Sequence, residues 1–348
     1  MAESARIGAV QATRDRAAVT PSKSLSPALP AAAGPTSAAV TAHLAGRVQD
    51  LTRVRPGAAD PLGLDIQLTL YVCYELAYRG FAGVDPSFEW DADLIGLRGR
   101  LERVFLDHLR DRVPDVHGVS AADEMQRVAA ESEHGSGPAQ FLLSGTWQQM
   151  REYFVHRSLH RLKEADPQAW VIPRLTGQAK ASFVAIEFDD YGSGHASHMD
   201  QRLFGELMAA ADLDDAYLAY LNAVPAESLA VVNLMSMFGL HRSMRGAAVG
   251  HFAAAEITSP PYSQRLADAL HRLDAPPACT RFYRQHAEAW LDDGGAIEVV
   301  RDLLAAEPEL NDDIVFGIRA YDLVEGLLAE HLVKCWSAEH SSLLHPLA

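Results

Sequence analysis

From about residue 38 to 336, apolar residues recur at three- and four-residue spacing, as in Val231, Leu234, Met235 and Phe238. That period puts one face of a helix against a core, and alternating β-type runs are scarce. Helices are expected at about 38–54, 62–81, 93–111, 121–132, 138–143, 147–164, 177–190, 199–211, 214–222, 226–241, 243–257, 262–273, 278–291, 296–306 and 311–336. Stop signals fall between them: Asp166-Pro167, Gly192 and Gly194, Pro260-Pro261, Pro276-Pro277, Gly294-Gly295 and Glu307-Pro308. No repeat of 20–50 residues is visible, so a solenoid is excluded. The reading is all-α: one compact helical domain over 38–348, preceded by an Ala/Pro/Ser-rich tail over 1–37 expected to be disordered, because it has few large apolar groups to bury.

Charge and cysteine content narrow the partners. The formal net charge is -16, which repels phosphate backbones and argues against nucleic acid and anionic membranes. No apolar stretch is long enough to span a bilayer, and the N-terminus has no apolar signal core. Cys73, Cys279 and Cys335 are far apart and form no CxxC pair, so a reduced, cytoplasmic setting is expected.

The residues that invite chemistry are carboxylates and histidines set inside apolar helices. Neither a Gly-rich phosphate loop nor a GxSxG elbow is present. Glu75, Glu164, Glu187, Asp190, His195, His198, Asp200, His251, Glu256, His286 and Glu288 stand in such surroundings. A carboxylate on an apolar face is costly unless paired or metal-bound. Inward-pointing carboxylates and imidazoles on bundle helices are also how di-iron and di-manganese sites are built. Caps, salt bridges and satisfied core histidines are the blander reading of each residue taken alone; His241, Arg242 and Arg245 are expected to pair with nearby acids.

Four blocks carry a resemblance: YELAYRGFAGVDPSFEWD, FVHRSLHRLKEADPQAWVIPRLTGQAKA, DDYGSGHASHMDQRLFGELM and NLMSMFGLHRSMRGAAVGHFAAAEITS. Over about residues 62–336 the chain resembles the iron-containing redox enzymes, the heme-oxygenase-like di-iron oxygenases and oxidases common in bacterial natural-product pathways. The resemblance implies a heme-oxygenase-like multi-helical bundle that binds Fe(II) without heme and uses O2 on a small amino-acid-like or fatty-acid-like substrate. Family ligands are a Glu on one helix, a Glu and a His ten residues apart on the second, and a His-x3-Asp-x2-His run on the third. By resemblance, Glu164 takes the first position, Asp190 the Glu of the second helix, and Asp200 its His. His286 opens the third run, in which Trp290 stands for the Asp and Asp293 for the last His; in an uncertain register, Asp292 could replace Asp293.

These departures define two expectations. Glu to Asp at 190 shortens the carboxylate's reach by about 1.5 Å. His to Asp at 200 trades nitrogen for oxygen and favours harder ions such as Mn or Mg. Trp290 is no ligand and fills space, and Gly294-Gly295 is expected to end the third helix early. The first expectation is an O2-activating iron enzyme, mononuclear or dinuclear, with Glu164, Asp190, Asp200, His286 and Asp293 as ligands. Glu75, His195, His198, Arg245, His251, Glu256 and Trp290 are then pocket or ligand-orienting candidates, although a cap and a surface residue is the blander reading of His195 and His198. The alternative is a non-catalytic homologue that binds a small molecule or a partner protein. Bundles of this kind often pair through an exposed helix face, so a homodimer is one expected assembly, although no heptad run marks its seam.

Overall fold

The computed structural model describes residues 26–47, 49–55, 57, 59–163, 165–288 and 295–347. Its helices are α1 (Pro35–Leu44), α2 (Leu64–Glu75), α3 (Ala92–Arg112), α4 (Ala121–His134), α5 (Gly137–Leu142), α6 (Trp147–Arg161), α7 (Asp166–Ala169), α8 (Gly177–Asp190), α9 (Asp200–Ala210), α10 (Ala226–Leu240), α11 (Arg245–Arg272), α12 (Pro277–Glu288), α13 (Gly295–Ala306) and α14 (Asn311–Ser337). No strand occurs among the described residues.

The longest helices, α11 and α14, cross at the centre. Small residues make the crossing close. A β-carbon on Gly250 would stand 2.0 Å from the Ile314 carbonyl oxygen, and one on Gly317 would stand 2.0 Å from that of Ala247. No side chain fits there, so the backbones meet directly, and α4, α10, α12 and α13 pack around the pair.

Three sequence expectations change. Helix α11 runs through Pro260 and Pro261, where a stop was expected. Those prolines cannot donate to the carbonyls of Glu256 and Ile257. Buried Ile257, Ser263 and Leu266 flank them, and packing along α14 and α12 keeps the axis continuous. Residues 214–222 form turns instead of a helix; Leu218 adopts a left-handed φ of 59°, which a helix cannot accommodate. The folded chain also begins before residue 38. Thr36 and Ser37 backbone N–H groups donate to Asp65 at 2.9 and 2.7 Å, so a carboxylate on α2 caps α1. Ser26 and Pro27 hydrogen-bond to the backbone of Arg79 and Ala82. Residues 1–25 of the expected tail lie outside the described residues.

Candidate functional site

Five of the helices converge on a group of acids around one histidine. Helix α12 buries Cys279, Phe282 and Tyr283, and His286 follows on the same face. The His286 ring faces Phe282 at 4.3 Å, and its Nδ1 lies 2.9 Å from the Phe282 carbonyl oxygen. A carbonyl only accepts, so Nδ1 carries the hydrogen and Nε2 is the nitrogen left for a partner. Asp200, at the start of α9, meets that nitrogen: Oδ2 is 2.8 Å from Nε2. The Arg161 guanidinium, at the end of α6, stands 3.5 Å from His286 Nε2 and 3.9 Å from Asp200. Burial would raise the Asp200 carboxyl, but His286 and Arg161 outweigh it and hold the group below the usual range.

The other acids behave in the opposite way. Glu187 and Asp190 lie three apart on α8 and so share a face. Burial, then the charges of Glu256 and Asp166, push Glu187 up to about 8. Both Glu187 carboxylate oxygens are buried and have no hydrogen-bond partner, and the residue is 2% exposed. Burial, then Glu256, Asp200 and Glu187, raises Asp190 well above its ordinary value. Glu256, on α11, is raised by burial, against the pull of Arg161 and His286.

Beside this cluster lies a cavity of about 280 Å³. One face of α11 lines it with His251, Thr258 and Tyr262. Across from them, Glu325 on α14 holds Arg157 on α6 through two 2.7 Å hydrogen bonds. His251 is 4% exposed, and burial lowers it to about 4 against the opposing charge of Glu325. Its Nε2 and the Tyr262 hydroxyl are buried without a partner. Arg161 lines the same cavity, so one side chain faces both the cavity and the Asp200–His286 pair.

The remaining candidates lie elsewhere. Glu75 is fully buried but is held by Lys163 and by the Tyr217 hydroxyl, 2.9 Å from Oε2. Lys163 is itself buried, with Tyr78 and Tyr217 rings 4.2 and 5.2 Å from its nitrogen. Arg245 pairs with Glu307, and His241 with Glu102 at 3.0 Å. His195 and His198 are exposed after the Gly192–Gly194 turn, their rings 5.6 Å apart. Glu164, Trp290, Asp292 and Asp293 lie outside the described residues.

The residues fit a metal ion in donor type. Asp200 Oδ2 and His286 Nε2 bring an oxygen and a nitrogen donor side by side, joined to each other by the 2.8 Å hydrogen bond. The orphaned oxygens of Glu187 are a second mark of such a site. The acids are neighbours, not a closed shell: among the described residues no three His, Cys, Asp or Glu side chains stand close enough to share an ion. Sequence reasoning missed Arg161, the Arg157–Glu325 pair and Tyr262. A hint lay in two arginines four apart on one largely buried helix.

A model of the iron-containing redox enzymes matches residues 151–326, just over half of the chain. The chain therefore belongs to that family, and its bundle is the heme-oxygenase-like fold. The matched segment runs from α6 into α14 and contains Arg161, Glu187, Asp190, Asp200, Glu256 and His286. No curated protein matches the chain. No described helix is long and apolar enough to cross a membrane.

Proposed function

We propose that the protein is a non-heme iron oxidoreductase that uses O2 on a small molecule seated in the α6–α11–α14 cavity. The observation that carries this reading is Arg161, which lines the cavity and also reaches the Asp200–His286 pair. Bound iron would supply the O2-activating redox chemistry. Asp190, Asp200 and His286 would hold it, with Glu164 and Asp293 by family resemblance. In the metal-free protein the Phe282 carbonyl takes the Nδ1 hydrogen of His286 and Asp200 accepts from Nε2, which holds the ring in place; the Nε2 proton would have to leave before that nitrogen and the Asp200 carboxylate could both hold iron. The Phe282 ring packs against the His286 ring and covers that side of the pair. Arg161 offers a cation to an anionic group on the substrate, and His251 Nε2 and the Tyr262 hydroxyl offer it buried hydrogen-bonding atoms. An amino-acid-like or fatty-acid-like carboxylate from bacterial specialised metabolism fits this lining.

A second reading, a non-catalytic binding homologue, is favoured by one observation: no three described donors are preassembled. Anaerobic Fe(II) titration with iron counting separates the two. The enzyme reading expects at least one iron per chain, lost in His286→Ala, and O2 uptake that depends on that iron. A chain that binds no iron overturns it.

A further inference from the structure

We infer that Arg265 is a second anion-binding residue of the cavity, apart from Arg161, and that the cavity's ligand is an elongated polar dicarboxylate, not a simple fatty acid. This rests on the reading of the cavity as the substrate's and narrows the class of molecule it takes.

Arg157, Arg161 and Arg265 all line the cavity, and Arg265 differs from the other two. Arg157 is held by both Glu325 oxygens, and Arg161 has Asp200 at 3.9 Å. Arg265 has no carboxylate partner among the described residues. Its Nη2 donates to the Ser132 carbonyl at 2.6 Å, and its Nε is buried without a partner. The acids of the cavity turn elsewhere: Glu325 to Arg157, and Glu131 and Asp322 to Arg127. Gly135, at a left-handed φ of 70°, leaves the flank of the Arg265 guanidinium uncovered, where a β-carbon would stand 3.5 Å from Nη1. A half-buried cation without an anion is costly, and a carboxylate on the ligand answers it.

Arg265 also ends a stripe. His251, Ala255, Thr258, Tyr262 and Arg265 follow one another along α11 at alternating spacings of four and three, so they share one face, and all of them line the cavity. The stripe covers about 21 Å of helix axis, at about 1.5 Å per residue. Three of its side chains carry a buried polar atom without a partner: His251 Nε2, the Tyr262 hydroxyl and Arg265 Nε. The two cations stand at separate places. Tyr153 on α6 lies beside Tyr262, their ring centroids 6.2 Å apart. Arg161 is about two turns beyond Tyr153, against Asp200 and His286, whereas Arg265 is about one turn beyond Tyr262, against Ser132 of α4. A ligand gripped by both cations passes the unpartnered atoms of α11 on its way. Amide, hydroxyl or amino groups along it answer those atoms. A hydrocarbon chain would keep them from water and leave them unpaired, which is the ground for rejecting a fatty acid.

The test is calorimetric titration of the full, metal-free chain with probes of graded length: dicarboxylates with a central amide (N-succinylglycine and its longer homologues), all-methylene dicarboxylates, and monocarboxylates including dodecanoate. At one length the dicarboxylate should bind at least about tenfold more tightly than its monocarboxylate. Arg265→Gln should abolish that preference, with monocarboxylate affinity and circular dichroism unchanged, and Arg265→Lys, which keeps the charge, should retain part of it. Arg161→Ala should weaken mono- and dicarboxylates alike. The amide probe should bind more tightly than its all-methylene counterpart, and Tyr262→Phe should reduce that advantage. If both Arg265 variants keep the full preference for dicarboxylates, or dodecanoate binds the parent as tightly as the best dicarboxylate, the inference fails while the iron-oxidoreductase reading stands. A chain that binds the dicarboxylates as expected but no iron keeps the inference and overturns that reading. A parent that binds none of the probes, with or without Fe(II), overturns the inference and removes the cavity's role as a carboxylate site.

Discussion

His251 shows what burial alone does to a titratable group. It is packed edge-on against Tyr321 at 5.1 Å, and burial brings it from 6.5 to about 4. The folded protein thus binds fewer protons than the unfolded chain, and stability is lost as pH falls from about 6.5 through 4. A shift of this size corresponds to about 2–3 kcal/mol for a buried group. Chemical denaturation of the parent and His251→Gln at pH 7 and pH 4 should show the parent losing that much relative to the variant. Equal losses would mean that His251 is not the group that titrates. Arg161 gives a second case. Arg161→Ala removes the cation beside Asp200 and His286 but no donor, so Fe(II) should bind the variant more tightly or equally, while affinity for a carboxylate ligand falls about tenfold or more. A variant that loses iron instead would place Arg161 in the structure of the metal site. Residue types were legible in the sequence, but pairings were not. Glu75 and Glu187 look alike as acids inside apolar runs. Only the fold shows that Lys163, 88 residues away, answers the first and that nothing among the described residues answers the second.

At the scale of elements, periodicity located most helices because each needs one buried face, and Pro276-Pro277 and Glu307-Pro308 do fall at breaks. Pro260-Pro261 misled because a local rule met a stronger tertiary one. A helix packed along much of its length tolerates two missing donors. The Gly246, Gly250 and Gly317 seam shows the same limit, since nothing local marks which glycines face a neighbouring backbone. Gly250→Ala drives a β-carbon into the Ile314 carbonyl and should cost about 3 kcal/mol or more. Gly99→Ala, within α3 and with nothing inside 4 Å, should instead stabilise by about 0.5–1 kcal/mol. Urea unfolding of both variants checks this pair. If Gly250→Ala were neutral, the α11–α14 crossing would be wider than described.

Over the whole molecule, the fold is closed by contacts that span most of the chain, which no local pattern can announce. The segment after α14 turns back so that Ser342 reaches α6. Its N–H and hydroxyl donate to Glu152 Oε2 at 2.9 and 2.7 Å, and its hydroxyl oxygen lies 2.9 Å from His156 Nε2. The serine has one hydroxyl hydrogen, so once it goes to Glu152 the imidazole must donate at Nε2 and accept from Ser228 at Nδ1, 2.7 Å away. Burial holds His156 well below its usual value, in keeping with that neutral tautomer. Helix α6 therefore carries this network near its middle and Arg161 at its end. If the two are separate, Ser342→Ala should destabilise by about 1–3 kcal/mol, because it leaves buried polar atoms short of a partner. That lowers the melting temperature by several degrees, at about 2–4 °C per kcal/mol for a domain of 150–250 residues. Mn(II) affinity at 25 °C, well below the transition, should stay within about twofold of the parent, because the folded population is almost unchanged. Differential scanning calorimetry beside Mn(II) titration reads both quantities. A Ser342→Ala protein that keeps its melting temperature yet loses metal would show that the C-terminal segment positions α6 for the site and that the two are coupled.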